Sequence, residues 1–248
     1  MEVKLKVKRY DPEAEASAEE QGYREYSLDM PPNATVLDTL IEVREYQDGT
    51  LSLRCSCRSA ICGSCAMRIN GKARLACKTQ ISTVAGEDGV IVVEPAGNLP
   101  VIKDLVVDMA PFWNKVRAVD PWLKPTGEVP EREYLVPNEA MAALGEVMNC
   151  IMCGACVSDC TVLEVDKSFL GPAALAKAYR FVGDPRDDQT LARLREYSDP
   201  SGMWDCTRCN YCVEVCPKDV KPMEQILKLR SEAVHAGIKN NTGSRHTL

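Results

Sequence analysis

Of 248 residues, thirteen are cysteines, and twelve of those fall into three spaced groups. Cys57, Cys62 and Cys65 are spaced C-x4-C-x2-C, and Cys77 follows after eleven further residues. Cys150, Cys153, Cys156 and Cys160 run C-x2-C-x2-C-x3-C, and Cys206, Cys209, Cys212 and Cys216 repeat that run, ending Cys216-Pro217. The first spacing is that of a 2Fe-2S centre, and the repeated run is that of cubane-type 4Fe-4S clusters. Three thiolates on one tight loop let the backbone fold around the metal and aim amides at sulfur, and the small residues Ala60, Gly63 and Ser64 make such a loop possible. An odd number of thiols leaves one unpaired in any set of internal disulfides, whereas metal ligation has no parity rule. Zinc is the competing metal, but zinc ribbons use paired C-x2-C knuckles, and Cys57 to Cys62 is not one. Cys55 is the thiol left over and reads as a small side chain that holds no metal.

The elements that must carry these loops differ between the two halves. Val3, Leu5 and Val7 alternate with lysines, the period of a half-buried strand, and a second strand is expected over 23–28. Residues 11–21, acidic and small, form a solvated loop between them. Thr35 and Asp38 start a helix whose apolar face is Val36, Leu37, Leu40, Ile41 and Val43. Residues 66–69 and 72–75 flank Asn70-Gly71, a pair suited to a two-residue hairpin turn, and a last strand fits 90–93. This order of hairpin, helix, cysteine loop, hairpin and strand resembles the β-grasp fold of plant-type ferredoxins. Pro121, Pro125 and Pro130 mark an extended connector. Beyond it the pattern is helical, with Pro172 and Gly183 bounding one helix and Pro222 and Gly237 another. The expected class is α+β: a 2Fe-2S β-grasp domain over 1–105, a connector over 106–137 and an all-α two-cluster domain over 138–248.

Composition narrows the function. Hydrophobic residues make up 45% and charged residues 27%, an ordinary globular balance, but with three Phe and three Trp the core is thin and bound metal is expected to add folding free energy. A net charge of −6 with no basic stripe argues against nucleic acid. No apolar run approaches a membrane span, and the charged, alternating start predicts no leader and a compartment where thiols stay reduced. His235 near a helix end and His246 in the tail read as surface residues. Trp113 and Trp122 read as packing residues of the connector, and Trp204 as a shield of the last cysteine run.

The repeated run resembles two-cluster bacterial ferredoxins, in which the fourth cysteine of each run ligates the other cluster. Carried over, this implies one 4Fe-4S cluster on Cys150, Cys153, Cys156 and Cys216, and another on Cys160, Cys206, Cys209 and Cys212. The two modules in this order resemble the iron-sulfur subunit of succinate dehydrogenase and fumarate reductase. The likeness runs through CRSAICGSCAMRINGKARLACKT (57–79), NLPVIKDLVVDM (98–109), MNCIMCGACVSDC (148–160), FLGPAALAKAYRF (169–181) and WDCTRCNYCVEVCPKDVKP (204–222). It implies a relay between the FAD of a flavoprotein subunit and a quinone at a membrane-anchor subunit, with FAD and any haem held by those partners. The chain itself would have no catalytic residue and would lie peripherally on the cytoplasmic face of the membrane. Many relatives carry an apolar residue at the position of Cys209 and hold a 3Fe-4S centre there; a fourth thiol favours 4Fe-4S, with 3Fe-4S as the alternative. Cys160 is followed by Thr161 rather than proline, and residues 161–168 lack the family's quinone-side tryptophan, which favours menaquinone over ubiquinone. Thr207 and Arg230 match positions near the quinone in fumarate reductases, though a turn hydroxyl and a surface charge would read the same. The alternatives are the equivalent subunit of a thiol-linked fumarate reductase or another complex with a cysteine-rich partner, and a free-standing multi-cluster carrier.

Overall fold

A computed structural model describes residues 1–14, 21–86 and 88–240. Most of the expected loop at 11–21 and His246 lie outside the described residues. The fold divides into two compact units, Met1–Ala110 with Ile151–Asp159, and Pro111–Cys150 with Cys160–Leu248.

The first unit is built on a five-stranded mixed sheet. Strand β1 (Glu2–Lys8) buries Val3, Leu5 and Val7 completely, and its lysines stay at the surface or partly covered. It pairs antiparallel with β2 (Tyr23–Asp29), Leu5 opposite Tyr26, and parallel with β5 (Val90–Glu94), Leu5 opposite Ile91. Strands β3 (Ala66–Ile69) and β4 (Lys72–Leu75) form the expected hairpin. Asn70 and Gly71 take φ of 49° and 75°, the paired positive values that match a tight turn to strand twist. β3 joins β5, giving the order β2-β1-β5-β3-β4. Helix α1 (Val36–Glu42) runs on into a π turn over Val43–Gln47. Thr35 and Asp38 close a capping box at its start. Val36, Leu37, Leu40 and Val43 are fully buried in one core with the strand side chains, each contributing about 1.5–3 kcal/mol relative to exposure. This is the β-grasp arrangement expected of the first half.

Several elements were not read from the pattern. A one-turn helix α2 (Ile81–Val84) precedes β5, and a small hairpin of β6 (Val101–Lys103) and β7 (Val106–Val107) follows it. Helix α3 (Ala110–Arg117) occupies part of the expected connector over 106–137, while the proline-bearing residues after it lack regular structure. The short helix α5 (Ala155–Ser158) belongs with the sheet unit, although its sequence neighbours on both sides fold with the helical one. Asp159 accepts the Ala73 N–H at 2.8 Å, Ser158 accepts the Gly97 N–H at 2.8 Å, and the Asn98 amide donates to the Val157 carbonyl at 2.9 Å.

The second unit is helical. Its longer members are α4 (Asn138–Met148), α7 (Gly171–Val182), α8 (Thr190–Glu196) and α10 (Pro222–His235); α6 (Thr161–Val165) and α9 (Tyr211–Glu214) are short. Pro172 lies in the first turn of α7, Gly183 caps its end, and Pro222 opens α10, as expected. Buried Ala173, Ala174, Ala176 and Ala178 give α7 a thin profile that lets neighbouring helices pack closely. Arg193 and Asp187 form a buried ion pair at 2.9 Å. The same guanidinium donates to the carbonyls of Val119, Asp120 and Trp122, and the Tyr197 hydroxyl also donates to Val119. The start of the connector is thereby tied to α8.

Candidate metal centres

Residues 57–65 curl because three of them adopt left-handed backbone: Arg58 at φ 54°, Ala60 at 55° and Gly63 at 74°. The curl turns amides inward. Ser59, Ile61 and Cys62 N–H groups donate to Cys57 Sγ at 3.4, 3.3 and 3.3 Å, and the Ala60 N–H donates to Cys77 Sγ at 3.3 Å. Cys77 reaches the loop through the β3–β4 hairpin, held by the Ala76 N–H on the Cys65 carbonyl. The first amides of α1 fix the same turn from the other side, Leu37 donating to Ala76 and Val36 to Thr79. The Ser64 hydroxyl, then backbone donors, lower the Cys62 thiol to about 6, while burial pushes Cys65 up to about 12. Inward amides around closely set thiolates form a concavity for negative charge and fit a 2Fe-2S centre. Cys55 packs against the apolar core of the sheet unit.

In the repeated runs, Met152 at φ 56° and Gly154 at 80° bend one loop; Arg208 at 61° and Asn210 at 71° bend the other. Cys153 and Cys156 belong to the sheet unit, where Cys153 packs beside the core. Cys150 and Cys216 pack on one small apolar cluster of the helical unit, formed by Leu144, Val147, Ala176 and Val220. The Val220 N–H donates to Cys216 Sγ at 3.3 Å.

Cys160, Cys206, Cys209 and Cys212 all lie in the helical unit, and they feel one another electrostatically. Burial, and then the neighbouring Cys206, Cys160 and Cys209, push the Cys212 thiol up to about 12. Cys209 is the exposed member. Burial opposes its ionisation, but the Thr161 hydroxyl at 3.5 Å, the Tyr211 amide and the Thr207 hydroxyl hold it below its ordinary value. Arg230, whose sequence reading included a surface charge, is instead half-buried. It donates to the carbonyls of Met203 at 2.7 and 2.9 Å, Trp204 at 3.0 Å and Cys206 at 2.8 Å, and stacks 5.5 Å from the Trp204 ring centre. The indole N–H of Trp204 is buried without an acceptor. His235 is exposed at the end of α10, and Trp113 and Trp122 are exposed as well.

Among the described residues no three His, Cys, Asp or Glu side chains are drawn together tightly enough to hold a single metal ion. Ligands of an iron-sulfide cluster stand farther apart, because iron and sulfide lie between them.

Comparison with known proteins agrees with this chemistry. The profile of the 2Fe-2S iron-sulfur cluster binding domain matches residues 4–114, and that of the 4Fe-4S dicluster domain matches residues 146–220. The chain is 38% identical to the fumarate reductase iron-sulfur subunit of Mycobacterium tuberculosis over 235 residues, 94% of this chain and 93% of that one. It is 35% identical to the fumarate reductase iron-sulfur subunit of Escherichia coli over 93% of each. It is 36% identical to the mitochondrial succinate dehydrogenase (ubiquinone) iron-sulfur subunit 1 of Oryza sativa, over 92% of this chain and 82% of that one. A solved chain of the Mycobacterium smegmatis Sdh1 complex in the apo form superposes with a TM-score of 0.83 at 28% identity, over 95% of this chain and 96% of that one. With a 2Fe-2S domain ahead of a 4Fe-4S dicluster domain, and relatives matched along nearly their whole length, the chain belongs to the family of succinate dehydrogenase and fumarate reductase iron-sulfur subunits.

Proposed function

We propose that this chain is the relay of its complex, passing electrons singly between the FAD of a flavoprotein subunit and a quinone at a membrane-anchor subunit. Iron-sulfide clusters supply reversible one-electron storage. The chain's own residues hold and tune them. Cys57, Cys62, Cys65 and Cys77 take the 2Fe-2S centre. Cys150, Cys153, Cys156 and Cys216 take one 4Fe-4S cluster, and Cys160, Cys206, Cys209 and Cys212 take the other. The observation that carries this reading is the ring of amides around Cys57 and Cys77, in a chain that also gathers four further thiols in its helical unit. N–H groups aimed at sulfur compensate the negative charge that reduction adds. No side chain here needs to act as acid, base or nucleophile, since dicarboxylate chemistry belongs to the flavoprotein.

Four thiols rather than three at the last centre support 4Fe-4S over 3Fe-4S. Thr207 and Arg230 lie on the quinone side of that centre in this reading, and the absence of tryptophan from residues 161–168 favours menaquinone. Among the described residues no helix is long and apolar enough to cross a membrane, which suits a peripheral subunit on the cytoplasmic face held by its anchor. Electron paramagnetic resonance of the purified complex, with iron and sulfide counts, tests the assignment. One 2Fe-2S and two 4Fe-4S clusters are expected, and Cys209→Ala should create a 3Fe-4S signal in the oxidised sample. A strong 3Fe-4S signal already present in the native complex would remove Cys209 from the ligand set.

A further inference from the structure

Gly63 lies between Cys62 and Cys65 at φ 74°. A Cβ placed there would stand 2.7 Å from Cys153 Cβ, 2.9 Å from Cys153 Cα and 3.3 Å from the Ile151 carbonyl oxygen. Unbonded carbons prefer about 3.5–4.0 Å, so only hydrogen fits. Nothing at this point can swing aside, because two of the three facing atoms are backbone and the third is the first carbon of a cysteine. Two cysteine loops of the sheet unit therefore meet here without an intervening side chain. Gly71 is a natural contrast. It has nearly the same φ, 75°, yet a Cβ there would meet nothing within 4 Å. Conformation alone favours glycine at 71; at 63 conformation favours it and the contact requires it.

We propose that Gly63 is a positioning residue for electron transfer: its missing side chain sets the separation between the 2Fe-2S centre and the cubane that Cys153 helps to hold. The proposal rests on the assignment of Cys153 to that cubane. In the step concerned, one electron leaves the reduced 2Fe-2S centre and enters the oxidised cubane, with no bond made or broken. Tunnelling falls exponentially with distance, so a methyl group that parts the loops slows the hop and displaces a cubane ligand together.

The test compares Gly63→Ala, Gly71→Ala and Cys153→Ala in the assembled complex. In Gly63→Ala, relaxation of the reduced 2Fe-2S signal by the reduced cubane should weaken, seen as a several-fold fall in half-saturating microwave power. Gly71→Ala should leave that power at the native value. Where Gly63→Ala loads its 2Fe-2S centre, native relaxation overturns the proposal. Where it does not load, the cubane midpoint potential decides: a shift supports the contact, and a native value overturns it. Cys153→Ala addresses the underlying assignment separately, since alanine offers iron no donor atom and a full iron count in that variant removes Cys153 as a ligand whatever Gly63→Ala does.

Discussion

At the last group of cysteines a single guanidinium serves three carbonyl oxygens, on Met203, Trp204 and Cys206, and so holds the turn that delivers Cys206. Arginine suits this because its donors form a rigid planar fork, whereas lysine offers a compact charge on a flexible stem. Arg230→Met should therefore lower the reduction potential of the cluster proposed on Cys206, by removing a positive charge beside it, and should reduce its iron occupancy. Arg230→Lys should keep more of the potential than of the occupancy. A redox titration followed by electron paramagnetic resonance, with iron counts, separates the two effects. The two cluster-binding domains were legible in the sequence, because cysteine spacing is a local property. Arg230 was singled out only through the family resemblance, and its hold on these carbonyls was not legible, because its partners lie 24 to 27 residues upstream and only the fold brings them together. Gly63 was readable as a small residue in a tight loop, but the backbone it abuts is far away in sequence.

Among the elements, local signals were reliable and distant ones silent. The Thr35–Asp38 capping box, the Asn70-Gly71 turn and the bounds of α7 and α10 all depend on neighbours within a few residues. The parallel pairing of β1 with β5 and the existence of α3 had no comparable sign, since strand partners are chosen by tertiary packing and the prolines that marked the connector begin after α3. The most consequential hidden element is α8, through Arg193. Removing one partner of a buried ion pair costs about 3–5 kcal/mol, because the other charge remains buried. Arg193→Met should destabilise the helical unit by about that amount, since Asp187 loses its counter-charge and the carbonyls at 119, 120 and 122 lose their donor. Chemical denaturation followed by loss of cluster absorbance would report it; a midpoint equal to the native one would show that other contacts hold the connector.

Across the whole molecule, both units contain a carboxylate held well below its usual range. In the sheet unit burial works against Asp48, but the Thr50 hydroxyl, Tyr26, Arg24 and Arg9 outweigh it; in the helical unit Arg186 and Arg180 do the same for buried Asp184. A depressed carboxylate stabilises the fold above its unfolded value, and that contribution drains away as pH falls through the acid range toward the folded value. Stability measured from pH 7 downward should thus begin to decline near the ordinary carboxylate range, and Asp48→Asn and Asp184→Asn should each flatten the decline. An unchanged slope in both variants would place the acid sensitivity in the clusters instead. The pairing of Ile151–Asp159 with the sheet also has a consequence in time. Ala73 and Gly97 wait for their acceptors on Asp159 and Ser158, so on the ribosome the amino-terminal module is finished only after residues 111–150 of the helical unit have been synthesised.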